Sequence, residues 1–476
     1  MALTAAEQRL WRAYPIGATV DLGGGSVSAS VIVRLLLGAC EPRKGFVPQL
    51  RLENATVVGA LNVSGGTVGC DVRLKNCILD TAPDFSNAQV KQLRLLECSM
   101  PGFEGAGMRA ERAISLSGSV IDGQVNLVRA QFLSGLWMKR TRITNTGGPF
   151  AFYSGSMVVD GGMFAQESVI TGGMRLVGSR LNAGLFLQGA RLVNPGRLAL
   201  DAQNIIAADA VECSAGFTSE GRIKLRNAQV NGTLSFDQAG PMSNPGHIAL
   251  HLSHMQVTEL ILSPSAPIEG MVSLRYSRVG VVLDRYSSWP ASIDLDGLVY
   301  ETLRAEVLEH DRHLKSRIDW VNRAPEFRSQ PYEQLSAWFL REGHEHLARK
   351  TQLMKFRRRR AKLPWPSRTW SALLDYTVGY GYRPWQAAAW LAVLITVGTI
   401  VFSVEQPRPL REPAELPDFH ALAYVVDLLI PISAFGLRDT WNPVGWTQWL
   451  AYGIIASGWI LATALIAGVT RVLKPN

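Results

Sequence analysis

From about Arg51 to Tyr300, apolar and polar positions alternate in short runs, and the runs recur. GALNVSGGTV (59–68), GQVNLVRAQF (123–132), GGMRLVGSRL (172–181), GLFLQGARL (184–192), GRIKLRNAQV (221–230) and GMVSLRYSRV (270–279) share one theme. It is a Gly, then alternating apolar residues, then a small residue. Within a run, Val125 and Leu127, or Ile223 and Leu225, fall two positions apart, the period of a strand with one buried face. Neighbouring runs begin about ten to twelve residues apart, as Gly123 and Gly135, Gly172 and Gly184, and Gly221 and Gly232 show. Short strands at even spacing fit a sandwich or a solenoid. A fixed motif favours the solenoid, in which each coil buries its apolar face against the next. Small residues such as Ala130, Ser179, Ala190 and Ala228 suit tight corners. The expected fold of residues 51–300 is an all-β right-handed solenoid (β-helix).

A solenoid needs covered ends. Residues 1–50 are expected to form a helical N-terminal cap, with helices over 4–13 and 28–39. After Tyr300 the period changes. Glu301 to Ile318 carries Leu303, Val307 and Leu314 among many charges and reads as an amphipathic helix, broken by Pro325 and Pro331. QPYEQLSAWFLREGHEHLARKTQLMKFRRRR then predicts a helix pair hinged at Gly343, with Leu335, Phe339 and Leu347 at the contact. Residues 301–363 are thus a helical connector ending in a basic juxtamembrane run, and 364–476 a transmembrane domain.

That last assignment rests on two stretches without Asp, Glu, Lys or Arg: Trp385 to Val404 and Trp446 to Thr470. A helix of ~20 residues at ~1.5 Å per residue crosses the ~30 Å hydrocarbon core. Trp385, Trp390, Trp446 and Trp449 near the ends suit the membrane interfaces. Between the spans, FHALAYVVDLLIPISAFGL (419–437) is long enough to cross. However, Asp427 near its middle costs ~3 kcal/mol on the insertion scale, and Pro431 removes a helix hydrogen bond. The expected plan is a two-span transmembrane α-hairpin with a re-entrant or interfacial helix between the spans. An ionisable group at membrane depth is a functional candidate, so Asp427 and Pro431 are singled out as a pore or intramembrane site.

Charge orients the plan. The net charge is +9, and much of it lies in Arg349, Lys350, Lys355, Arg357, Arg358, Arg359, Arg360, Lys362, Arg368 and Arg383. By the positive-inside rule this run and Arg471 and Lys474 hold both ends in the cytoplasm, making a multi-pass protein of the inner (plasma) membrane. Arg357, Arg358, Arg359, Arg360 and Lys362 are the expected membrane-surface residues, attracting anionic head groups at ~1 kcal/mol per charge. Their place beside a span favours lipid over nucleic acid. The start, MALTAAEQRLWRAY, has no apolar signal-peptide core.

The string Thr377–Gly381 (TVGYG) spells a potassium selectivity filter, but a filter lies between two spans and this string precedes the first. It is read as a Gly-rich juxtamembrane turn. GYGYRPWQAAAWL (379–391) resembles the GYG-x-RPW segment before the first span of bacterial pentapeptide-repeat proteins with a C-terminal two-helix ion-channel domain. QPYEQLSAWFLREGHEHLAR, TVGYGYRPW, VDLLIP and GWILATALIAGVTRVL are similar to a family of uncharacterised actinobacterial membrane proteins, some labelled "membrane-associated oxidoreductase". The resemblance covers 330–476 well and the solenoid only in style, since the strict A(D/N)LxX pentapeptide unit is absent. It implies fold and topology.

Redox chemistry finds no motif. No G-x-G-x-x-G opens a helix after a strand. Cys40, Cys70, Cys77, Cys98 and Cys213 form no CxxC, and their odd count reads as reduced thiols. His247, His251 and His254 (HIALHLSH) would put His254 on the opposite face of a strand from the other two, so solvated side chains are expected rather than a metal site. The chain is read as a non-enzyme without cofactor or metal. It is a membrane-anchored cytoplasmic scaffold with a protein partner on the solenoid, and homo-oligomers are compatible. The alternatives are an oligomeric pore lacking a potassium filter and, with no motif behind it, a membrane-associated oxidoreductase.

Overall fold

The computed structural model describes residues 3–305, 310–381, 384–410, 418–430 and 435–473. The chain divides into two units, Met1–Gln334 and Leu335–Asn476.

The first unit is a parallel β-solenoid of about 12 turns, built on an 18-stranded and a 16-stranded sheet. Val120 pairs with Arg142, and Met163 with Leu185, so a regular coil takes 22 residues. Inward pairs step by five and six positions: Val125 and Leu127, Ala130 and Phe132, Leu136 and Met138, Thr141 and Ile143, all essentially unexposed. Two such steps make an eleven-residue half-coil, the spacing expected of the repeats. Four coils are longer, with Thr19 opposite Arg51, Val125 opposite Phe152, Leu192 opposite Ser219 and Gln229 opposite Gln256.

Most half-coils turn on one residue in the left-handed region. Asn54, Gly65, Asn76 and Asn87 are eleven apart, as are Gly107, Gly118, Arg129 and Arg140, and then Ser156, Glu167, Gly178 and Gly189. The corner amide stays in the ladder, since Arg129 N donates to Gly155 O (2.8 Å) and Glu167 N to Gln188 O (2.9 Å). Backbone pairing through the corner therefore offsets the ~1–2 kcal/mol that a non-glycine residue costs there. Ala130, Ser179, Ala190 and Ala228 each follow a corner or its equivalent and are buried. Where that inward position is polar, the side chain is satisfied at Ser119 and Thr141, while the buried Ser179 hydroxyl has no partner among the described residues. Ser119 Oγ donates to Leu95 O (3.0 Å) and accepts from Cys98 N (3.0 Å), and Thr141 Oγ1 donates to Leu116 O (2.9 Å). All five cysteines are free thiols.

Of the six glycines that open the quoted repeats, all but Gly59 are places of close approach. Gly172 (φ +110°) carries no Cβ, and one added there would run into the carbonyl of Asn145 in the preceding coil. Gly172→Ala is expected to lose about 1–3 kcal/mol from conformation alone, read as a lower urea midpoint for the full chain. An unchanged midpoint would mean the coils can slide apart there.

Two helices occupy the N-terminal region, and the solenoid starts earlier than residue 51. α1 (Ala5–Ala13) has a capping box: Thr4 Oγ1 accepts from Glu7 N and Thr4 N donates to Glu7 Oε2 (2.7 Å). α2 (Ala29–Leu36) is capped by the Ser28 hydroxyl. Thr19–Asp21 and Ser26–Ser28 already pair with the following coil, Thr19 opposite Arg51 and Ser26 opposite Thr56. Residues 1–50 are therefore a cap plus a first coil into which α2 is inserted. The C-terminal boundary also moves. Val299–Ala305 is a strand paired with Arg278–Asp284, and Leu303 lies opposite Val282, so ladder pairing overrides the helical pattern at 301–305. The helix expected there is α3 (His310–Asn322), beyond the undescribed 306–309. Its Arg317, Ile318, Trp320 and Val321 are buried on the last coils.

The second unit is helical. α4 (Gln330–Arg341) and α5 (Glu345–Arg360) meet at Gly343, whose φ is +79°. Leu335, Phe339 and Leu347 are buried as expected. α6 (Trp365–Val378), α7 (Pro384–Val404), α8 (Ala421–Leu429) and α9 (Trp446–Leu473) follow. Phe402, Tyr424, Val425, Leu428, Leu429, Leu437, Ala451 and Ile454 form a shared core. Two glycines let backbones approach, as small residues do in helix packing. A Cβ on Gly398 would meet Val425, and one on Gly458 would strike the Leu429 carbonyl.

Candidate functional site

The basic run ends α5 and is only partly free. Asp375 of α6, 8% exposed, accepts from Arg357 Nε (3.0 Å) and Nη2 (3.1 Å) and from Arg360 Nη1 (3.0 Å). These two guanidiniums staple α5 to α6. Arg359 and Lys362 are exposed, and Arg358 is half-buried. Of the five residues expected at a membrane surface, two are therefore engaged in a structural ion pair. Their partner, Asp375, lies 15 and 18 residues further along, beyond any local pattern.

The TVGYG string ends α6 and enters a tight turn, Gly379–Gly381, before α7. Tyr380 sits at φ +53°, stacks on Phe356 (5.0 Å between centroids), and its hydroxyl lies 2.6 Å from Ser371 Oγ. It is a helix-to-helix turn.

Asp427 is neither solvated nor lining an open passage. It is fully buried and accepts from Phe435 N and Arg438 N, both at 2.9 Å. The carboxylate thus closes the segment that follows α8, a role anticipated neither by a pore site nor by an interfacial helix with Asp427 in water. Pro431 lies outside the described residues. α8 has nine residues, about 13 Å at ~1.5 Å each, too short to cross a ~30 Å hydrocarbon core. The strand pair Arg408–Pro409 with Trp441–Asn442 brackets it.

α7 coincides with the first uncharged stretch. Trp385–Val404 has a mean hydropathy of 2.2, with 17% of its most apolar window buried. Trp385 is 65% exposed, Ile400 61% and Val404 80%. Among the described residues it is the one helix long and apolar enough to cross a membrane. The second stretch is helical as α9, with Trp446, Trp449, Tyr452 and Trp459 exposed.

On the solenoid, the three histidines do not converge on a metal position: among the described residues no group of three or more His, Cys, Asp or Glu could hold one. His254 is itself a corner (φ +57°) and packs against Tyr276 at 5.3 Å. His251 stands opposite Lys224, with its Nδ1 buried and unpartnered. Burial, then the charges of Lys224, Arg222, Arg226 and His254, push its imidazole down to about 4. An orphaned Nδ1 is least costly as a bare acceptor, which puts the proton of the neutral ring on Nε2. Because the folded pKa lies below the ordinary ~6.5, the unfolded chain binds the proton more readily. This contribution to stability is complete above pH ~6.5 and is lost as pH falls from there toward 4. His251→Gln is expected to flatten that part of the stability profile, and an unchanged profile would assign the fall to other groups.

Comparison with family models, with curated proteins and with solved structures finds no match. What the chain does must be argued from its own geometry.

Proposed function

We propose that the chain is a membrane-anchored scaffold, in which the helical unit is embedded in a lipid bilayer and the solenoid offers a long rigid face to a protein partner. The observation that carries this reading is α7, apolar throughout yet mostly unburied. Soluble proteins rarely expose a continuous apolar surface of this kind, whereas acyl chains cover it at no cost.

α9 is the second crossing, with α8 re-entrant between them and both chain ends cytoplasmic at the inner (plasma) membrane. Arg359 and Lys362, exposed at the end of α5, meet anionic head groups. Membership of the actinobacterial family resembled by residues 330–476 accords with this plan. The pore reading loses its ionisable group, because Asp427 is committed to two backbone amides.

Topology is the test. Cys40 is half-exposed and the other four thiols are buried. In sealed vesicles a membrane-impermeant maleimide should reach Cys40 from the cytoplasmic side only. An introduced Arg408→Cys, between α7 and α8, should react from the opposite side only. Labelling of both from one side would contradict the two-crossing hairpin.

A further inference from the structure

One face of the late solenoid concentrates positive charge. Residues 221–226 alternate, with Ile223 and Leu225 inward and Arg222, Lys224 and Arg226 outward. The next coil sets His247, His251 and His254 beside them, Lys224 opposite His251. Arg222 Nε donates to Ile248 O (3.4 Å). None of Arg222, Lys224 or Arg226 forms an ion pair among the described residues. Carboxylates bound the block on both sides. Asp201 precedes Lys224 in the ladder, and Asp294 and Asp296 follow, the latter two already holding Arg275 (3.5 and 3.4 Å).

The block is thus three permanent cations and three imidazoles on two adjacent coils, about 10 Å along the axis at ~4.8 Å per strand. At its edge is a hollow of about 600 Å³, lined by Arg222, His247, Ile248, Met271 and Ser292 among others and by no carboxylate. The loop beside it recurs two coils earlier, since Asn194-Pro195-Gly196 and Asn244-Pro245-Gly246 form matching loops. Each is closed by its Asn side chain on a carbonyl, Leu198 O (2.8 Å) or Ile248 O (2.7 Å). The second loop carries His247 to the hollow.

We propose that this face docks an acidic, extended segment of a protein partner, its carboxylates on Arg222, Lys224 and Arg226 and an apolar side chain in the hollow by Ile248 and Met271. The inference deepens the scaffold reading by naming the partner's chemistry, and it does not depend on how the helical unit meets lipid. Charge complementarity carries it, since uncompensated cations side by side repel one another until an anion arrives. The bounding Asp201, Asp294 and Asp296 favour a short peptide over nucleic acid, because a phosphate backbone continues past two coils and would run into them.

The test uses the full chain in detergent and a fluorescein-labelled deca-glutamate peptide, followed by anisotropy. The expected result is binding that weakens at least tenfold in Arg222→Gln/Lys224→Gln/Arg226→Gln and is nearly unchanged in Arg358→Gln/Arg359→Gln/Lys362→Gln. Arg226→Glu alone, at an exposed side chain, should weaken binding severalfold and serves if the triple variant unfolds. Equal losses from the two triple variants, or no loss from either the first triple or Arg226→Glu, would overturn the proposal. So would a ten-nucleotide oligo-dT that binds this face more tightly than the peptide.

Discussion

Arg317→Leu is expected to destabilise the last coils of the solenoid by about 3–5 kcal/mol. Arg317 and Asp284 are 0% and 1% exposed, joined by Nη1 to Oδ2 at 2.7 Å and Nη2 to Oδ1 at 2.6 Å. Trp289 Nε1 donates to the same carboxylate (3.1 Å), and the guanidinium lies 5.3 and 4.9 Å from the Trp289 and Trp320 rings. α3 is thereby locked to the final coils, where a stacked-repeat protein would otherwise fray. Removing the arginine leaves a carboxylate in a dry site with its cation gone. Arg317→Leu/Asp284→Leu leaves no buried charge and should cost clearly less. Amide exchange over residues 278–305 reads the difference. A double variant no more protected than the single would mean that the pair adds nothing beyond its volume.

Asp427→Leu should cost the helical unit about 2–5 kcal/mol, because two part-buried backbone amides lose the fully buried carboxylate they donate to, and each such loss costs ~1–3 kcal/mol. Phe435 and Arg438 would have no carboxylate to close on, and the segment after α8 would open. Asp427→Asn keeps one carbonyl oxygen and should lose about half as much. Thermal unfolding in detergent measures both. A pore residue would behave in the opposite way, with altered single-channel current in planar bilayers and an unchanged unfolding temperature.

The solenoid was legible because inward Val, Leu, Ile and Phe keep period two inside each run and the runs keep near-constant spacing. Its eleven-residue frame was harder to see. The corner is filled by Asn, Gly, Arg, Glu, Ser, Ala, Gln, His or Tyr, whose common property is a backbone angle held by the next coil's carbonyl. Loops such as 194–197 and 244–247 add residues and blur the period. The early start at Thr19 was hidden because α2 separates it from its partner Arg51 by 32 positions.

Contacts carried by distant or main-chain groups left no trace in the letters. Arg317 finds Asp284 across 33 residues, Arg357 finds Asp375 across 18, and Asp427 binds backbone amides that any residue would supply. The Arg222–Arg226 triplet was visible as GRIKLRNAQV but was read for its apolar positions. Its meaning depends on His247, His251 and His254 falling in the adjacent coil, which only the register establishes.

The central claim is that lipid covers the apolar helices of residues 364–476 and so holds the solenoid at a membrane. Alkaline carbonate extraction of membranes from bacterial cells making the full chain tests it most directly. The account predicts that the chain stays in the membrane pellet and is released only by detergent. Recovery in the carbonate supernatant as a monodisperse soluble protein would contradict it.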